Sequence, residues 1–158
     1  MAVGYEIVDG DLLDVVADAI VNPWNRNTIP YWLLLPQGVS GAIKKRAGLS
    51  PFKELRRHGR LGLGEAVVTS AGSLPYKGII HVAGINDFWR ASEKSIRQSV
   101  RNALLAADKK GWLTIALPLI GAGSGGFPPQ EAERLIMDEL SRMESTVSVV
   151  IVRYRRQT

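Results

Sequence analysis

Between Thr114 and Pro128 the chain reads TIALPLIGAGSGGFP: an apolar run enters four glycines within six residues and passes at once into a proline-led helical pattern. Glycine tolerates positive φ and lets the backbone approach a ligand closely. The exposed amides of such a loop, backed by a helix N-terminus, favour an anion, typically phosphate. A tight strand-to-helix turn without a ligand needs fewer glycines, so the segment is read as a phosphate loop. It also constrains the fold, because a strand feeding a helix through a short loop is the repeating half of an α/β sheet.

The rest of the chain keeps that alternation. Short β-branched-rich segments at 5–8, 18–22, 66–70, 78–83, 114–120 and 147–153 read as strands. Ser92 is placed to cap a helix carrying Ile96, Val100, Leu104 and Ala107 on one stripe, with Gly111 as its stop. A second helix starts at Pro128 or Pro129, with Ala132, Leu135, Ile136, Leu140 and Met143 as its stripe. A shorter helix runs from about Val39 to Ala47 and ends at Gly48. Ser50 and Pro51 read as the cap and first position of a fourth. Strands alternating with helices predict a three-layer α/β/α domain around a mixed, mostly parallel sheet, formed by residues 1–158 as one unit. In such sheets ligands lie beyond the carboxyl ends of the strands, which points to the loops after residues 22 and 120.

Gly121, Gly123 and Gly126 match G-x-G-x-x-G literally, yet the setting is not that of a dinucleotide fold. That motif belongs in a first strand-turn-helix unit with an acidic residue at the next strand end. Here one strand remains, and Thr146 to Arg153 holds no Asp or Glu. Gly-Lys-Ser/Thr is absent, so a P-loop is excluded as well.

Composition narrows the chemistry. With 158 residues and 46% apolar content the chain can bury one substantial core, and it has no apolar run long enough to span a bilayer. No membrane partner is expected, no secretory leader is read at Met1 to Asp11, and a cytoplasmic location is the expectation. Cysteine is absent, which removes disulfides, thiolate metal sites and a thiol nucleophile. His81 sits inside an apolar strand and reads as a satisfied core residue; His58 reads as solvated, so no metal site is expected. The net charge of +5 favours anionic partners. Lys44, Lys45, Arg46, Lys53, Arg56, Arg57 and Arg60 crowd one stretch with only Glu54 against them, and Arg153, Arg155 and Arg156 close the chain. These runs read as a solvated face and tail, with an RNA or DNA surface as the alternative.

Five further segments fall in a characteristic order: GDLL at 10–13, DAIVNPWN at 18–25, GVSGAIKKRAG at 38–48, GEAVVTSAGSLP at 64–75 and IIHVAG at 79–84, followed by the glycine loop. This order and spacing resembles the macro domain family along nearly the whole chain. The resemblance implies a module that binds ADP-ribose or a related nucleotide, without a separate cofactor. It implies that the Asp11 carboxylate accepts from the adenine amino group, that the Leu12 amide serves another adenine edge and that Tyr154 packs on the base. Asn25 would contact the distal ribose. The amides of Gly121, Ala122, Gly123, Ser124, Gly125 and Gly126 would hold the pyrophosphate. Asn22, Gly38, Val39, Ser40 and Phe127 complete the expected ligand-binding set. Without the family pattern, Asp11 reads equally as a cap or turn aspartate, Asn25 as a loop residue satisfying backbone, and Tyr154 as an amphipathic edge residue.

The chain departs from the hydrolytic members of that family in two places. They carry a glycine run followed by Val-Asp-Gly, whose aspartate is thought to position or activate water; here Gly38-Val39-Ser40-Gly41 places serine there. A serine hydroxyl is no general base at neutral pH, and residues 19–53 contain no Asp or Glu. The polyglycine run is replaced by IPYWLLLPQ at 29–37, where Tyr31 and Trp32 suit a lid or wall over the ribose and Leu33, Leu34 and Leu35 favour core packing. The loop carries Gly125 where hydrolytic relatives often place an aromatic, and IGAGSGGFP looks more like the loop of macro-histones. Binding of ADP-ribose, free or on a protein or nucleic acid, is therefore the leading expectation. The alternatives are an ADP-ribosyl hydrolase, with Asn25 and Ser40 as candidate catalytic groups, and an RNA- or DNA-binding module.

Overall fold

The computed structural model describes residues 3–25, 38–85, 90–122 and 126–154. Six strands form one sheet: β1 (Tyr5–Gly10), β2 (Ala19–Asn25), β3 (Ala66–Thr69), β4 (Gly78–Ile85), β5 (Thr114–Pro118) and β6 (Ser148–Tyr154). Four helices accompany them: α1 (Gly38–Ala47), α2 (Ser50–His58), α3 (Glu93–Lys110) and α4 (Pro129–Ser141). The spatial order is β1-β6-β5-β2-β4-β3, and β3 alone runs antiparallel to its neighbour, β4. The sheet is thus mixed and mostly parallel, as the alternation predicts.

Strand parity divides the core in two. Ala19 and Val21 of β2 point into the layer covered by α3 and α4, with Ile96, Leu104, Leu135 and Ile136 fully or almost fully buried beside them. Ile20 points the other way, into the layer of α1 and α2, where Ile43, Phe52 and Leu55 are buried. Both sheet faces are apolar, which is why the inner strands read as continuous hydrophobic runs. Among the described residues no helix is long and apolar enough to cross a membrane.

The helix boundaries follow local chemistry. The Ser92 side chain accepts from the Ser95 amide, Ser95 Oγ accepts from the Ser92 amide in return, and Gly111 takes a left-handed φ of 74° to end α3. Two expectations need correction. Ser50 is not a cap: Gly48 breaks the chain at φ 87°, Leu49 is already helical, and the amides of Phe52 and Lys53 both donate to the Leu49 carbonyl. Strand β5 stops at Pro118 rather than 120, because the chain turns there: the Ile120 amide donates to the Pro118 carbonyl at 2.9 Å.

Candidate nucleotide site

Five parallel strands bring their carboxyl ends to one edge of the sheet. Gly10, Asn25, Ile85, Pro118 and Tyr154 end there, so the loops flagged in the sequence meet at that edge.

At one corner, Gly10 and Tyr154 are register partners of β1 and β6. Tyr154 is 69% exposed and shares the parity of Val150 and Val152, so it stands on the same sheet face as Leu12 and Leu13. Asp11 is half-buried and caps a short 3-10 turn, Leu12–Asp14, its Oδ1 accepting from the Leu13 amide at 2.9 Å. Asp11 therefore is the capping aspartate that one reading proposed, and it stands beside Tyr154's strand end as the other required. Tyr76 holds this corner from behind, a role the sequence reading missed. Its hydroxyl donates to the Val15 carbonyl at 2.8 Å, and burial pushes its pKa up. Nothing in the sequence links residues 61 apart; a half-buried tyrosine just ahead of a strand was the one available cue.

In the middle of the edge lies the glycine loop. The Phe127 amide donates to the Gly121 carbonyl at 3.0 Å and closes its neck. Gly121 and Gly126 both take positive φ, 90° and 72°. Their constraints differ: a Cβ on Gly121 would meet Ile96 Cδ1 at 2.7 Å and Ala91 Cβ at 2.9 Å, whereas one on Gly126 would meet open space. Ala122 and Phe127 are half-buried against the α3–α4 layer. Gly123, Ser124 and Gly125 lie outside the described residues, as does the segment Tyr31–Leu35.

Helix α1 is the next described element after β2 and packs in the layer of Ile20. Its first turn has no acidic residue, so no carboxylate of its own answers the positive end of the helix dipole. Val39 and Ser40 are half-buried there. Asn25 closes β2 just after a register shift against β4, and Gly38 begins α1.

One expected contact residue is placed differently. Asn22 is fully buried, its Nδ2 donating to His81 Nδ1 at 2.9 Å. Thr69 Oγ1 donates to the Ser70 carbonyl, so at 2.8 Å it accepts from His81 Nε2–H. A three-strand polar ladder, Asn22–His81–Thr69, thus runs beneath Phe52, whose ring meets His81 edge-on at 5.8 Å. Burial drives the His81 pKa down to about 3, and the ladder fixes one neutral tautomer. Asn22 supports the strand that carries Asn25; its side chain presents no surface to a ligand. Strand parity was the missed signal, because Asn22 shares the face of Ile20, and His81 that of Ile79.

The arrangement brings the glycine loop, with α4 leaving it, to the same sheet edge as the Asp11 carboxylate and the exposed ring of Tyr154. The sequence profile of the Macro domain matches residues 21–136. The chain belongs to the macro domain family. This macro domain is 33% identical over 165 residues to an O-acetyl-ADP-ribose deacetylase of Salmonella newport, covering 97% of this chain and 88% of that one. It is 36% identical over 140 residues to histone macroH2A1.1 of Capsaspora owczarzaki, covering 85% of this chain but 37% of the histone. In structure it is similar to the Oceanobacillus iheyensis macrodomain with ADP, at a TM-score of 0.81 and 31% identity over 97% of this chain and 84% of that one.

Proposed function

We propose that this macro domain binds ADP-ribose along the carboxyl edge of its sheet and works chiefly as a binding module. The observation that carries the reading is the convergence there of the glycine loop with the Asp11–Tyr154 corner, in a fold close to a macrodomain described with ADP. In this reading Asp11 and the Leu12 amide take the adenine edge and Tyr154 packs on the ring. The amides of Gly121–Gly126 and the first turn of α1, Gly38 to Ser40, hold the pyrophosphate and its surroundings, and Phe127 borders the loop. Asn25 addresses the distal ribose. Calorimetry of the purified chain with ADP-ribose, with ATP and NAD as controls, tests it. Selective binding near micromolar Kd, about −8 kcal/mol, supports the site; equal or absent binding of all three removes it.

A second reading, hydrolysis of an ADP-ribose linkage, is favoured by the deacetylase relatives that align over nearly the whole chain. Ser40 cannot take a proton from water at neutral pH, so water would be activated by a ligand phosphate, with Asn25 orienting the ribose. Incubation with O-acetyl-ADP-ribose and with a mono-ADP-ribosylated protein decides: release of ADP-ribose supports turnover, and its absence leaves binding as the function. The macromolecule that bears the ligand is read as anionic, on the strength of the cations carried by α1 and α2.

A further inference from the structure

The positive charge of this chain is concentrated in one helical layer. Residues 38–60 hold seven Lys and Arg against a single carboxylate, Glu54, and Glu54 itself is occupied by the amide and hydroxyl of Ser70. The opposite layer is different. There Arg97 and Arg101 both close on the buried Glu139, and Arg142 pairs with Asp138. Arg97, Arg101 and Arg142 pair with carboxylates of their own layer; Lys45, Arg46, Lys53, Arg56 and Arg57 are exposed on helices that carry one carboxylate between them.

Helix α2 organises them into a row. Phe52 and Leu55 are buried against the sheet, and Lys53, Arg56 and Arg57 are exposed on the other side. Arg60, just past the helix, continues the spacing. Lys45 and Arg46 of α1 are exposed in the same layer, Arg46 within 3.9 Å of the equally exposed Asp14. Cations in the last turn of a helix are favoured by its dipole, which accounts for one or two per helix. It does not account for seven cations within residues 38–60, a stretch with one carboxylate of its own, since like charges at such spacing repel.

We infer that the outer face of α1 and α2 docks the phosphate backbone of double-stranded nucleic acid without reading its sequence. Lys53 and Arg57 lie about 6 Å apart along the helix axis. A duplex offers one negative charge per about 1.7 Å of its axis, so a row of this pitch meets several phosphates at once. Single strands are held by aromatic side chains on which successive bases stack; residues 38–60 present no exposed Phe, Tyr or Trp, Phe52 being buried, and His58 is their single exposed ring. An acidic protein segment presents fewer charges per unit length than a duplex and matches the row less well. The inference stands on this charge pattern and is independent of the ADP-ribose reading.

The test is fluorescence anisotropy of a labelled mixed-sequence duplex with the full chain, titrated at several salt concentrations. Binding is expected to be weak and to fall steeply with salt, with a logarithmic slope near −3, as for about three phosphate contacts. The exposed pair Lys53→Glu/Arg57→Glu should lose tenfold or more and flatten the slope by about 2. Lys94→Glu/Lys109→Glu, the same charge change on α3, should leave binding within twofold, and ADP-ribose should alter none of these values. The inference is overturned if the duplex does not bind at low salt, or if the two double variants weaken it equally. It is also overturned if the matching single strand or a polyglutamate of equal charge binds more tightly.

Discussion

Arg153 closes on Glu133 through two hydrogen bonds, Nε to Oε1 at 2.5 Å and Nη2 to Oε2 at 2.9 Å. Arg153 is the residue before Tyr154, and Glu133 lies in the early turns of the helix that leaves the glycine loop. The contact ties the strand end beside Asp11 to the helix that leaves the glycine loop. It holds the Glu133 carboxyl below the ordinary range, chiefly by the hydrogen bond from Arg153. Because the pair is partly exposed, Glu133→Gln should cost no more than about 1 kcal/mol of stability in urea unfolding. ADP-ribose affinity should nevertheless fall several-fold by calorimetry, and affinity for an adenine-free ribose phosphate should be unchanged. Equal losses for both ligands would show that the pair does not act on the base corner.

His81 makes stability depend on pH. Its folded pKa of about 3 lies well below the ordinary value of 6.5, so below pH 6.5 the unfolded chain takes a proton that the folded chain refuses. Stability is therefore complete above about pH 6.5 and is lost as pH falls toward 3, by roughly 1.4 kcal/mol per pH unit. Denaturant unfolding of the native chain at pH 7.5 and 5 should differ by about 2 kcal/mol from this source. His81→Gln, though less stable at neutral pH, should show a visibly flatter dependence over that window. An identical slope in the two proteins would mean that other groups set it.

Asp11 has two separable roles. As a cap its Oδ1 takes the Leu13 amide, a function that Asn performs as well and Ala does not. Asp11→Ala should lose about 1 kcal/mol of stability together with affinity for ADP-ribose. Asp11→Asn should keep the stability and still bind more weakly, because a neutral acceptor replaces a charged one. Thermal melts and calorimetry on the two variants separate the roles; full affinity in Asp11→Ala would dismiss the adenine assignment.

The glycines of the loop should rank by their surroundings. Gly126→Ala meets only the left-handed backbone and should cost about 1–2 kcal/mol. Gly121→Ala adds contact with Ile96 and Ala91 to the same backbone penalty and should cost more, roughly 2–4 kcal/mol. Urea midpoints give the order directly, and a Gly126 variant as damaged as the Gly121 one would contradict it.

Ser40 offers a gain-of-function experiment. A carboxylate in the first turn of α1 is stabilised by the helix dipole and kept ionised, as a general base must be. Ser40→Asp is expected to raise the release of acetate from O-acetyl-ADP-ribose at least tenfold over the native chain at saturating substrate, with binding weakened by the added negative charge near the ligand phosphates. If turnover stays flat, the serine is not what separates this chain from its hydrolytic relatives.

Much of this was legible in the sequence because its signals are local. The Ser92 cap, the Gly111 stop and the apolar stripes of α3 and α4 are each set within one or two helical turns, and the structure keeps them except at Met143, which is buried just beyond the end of α4 at Ser141. The glycine loop was legible for the same reason. What was not legible depends on chain segments meeting across the sheet. Asn22 meets His81 from 59 residues away, and Tyr76 meets Val15 from 61. Asn22 was read as a ligand contact because it lies near the end of β2, whereas parity puts it on the inner face with Ile20. The missed boundary at Leu49 is of another kind. Ser50 has the chemistry of a cap, but Gly48 already releases α1 one residue earlier, and the next helix starts from there.

The strand order carries a consequence for how the molecule comes together. β1 pairs with β6 alone, and β6 lies between β1 and β5. Among the described strands β1 therefore has no neighbour in the sheet until β6, more than 130 residues further on, is in place. Until β6 slots in, the central strands can zip up but Asp11 and Tyr154 have no common border. The Asp11–Tyr154 corner is in this sense a keystone: it exists only once β1 and β6 lie side by side.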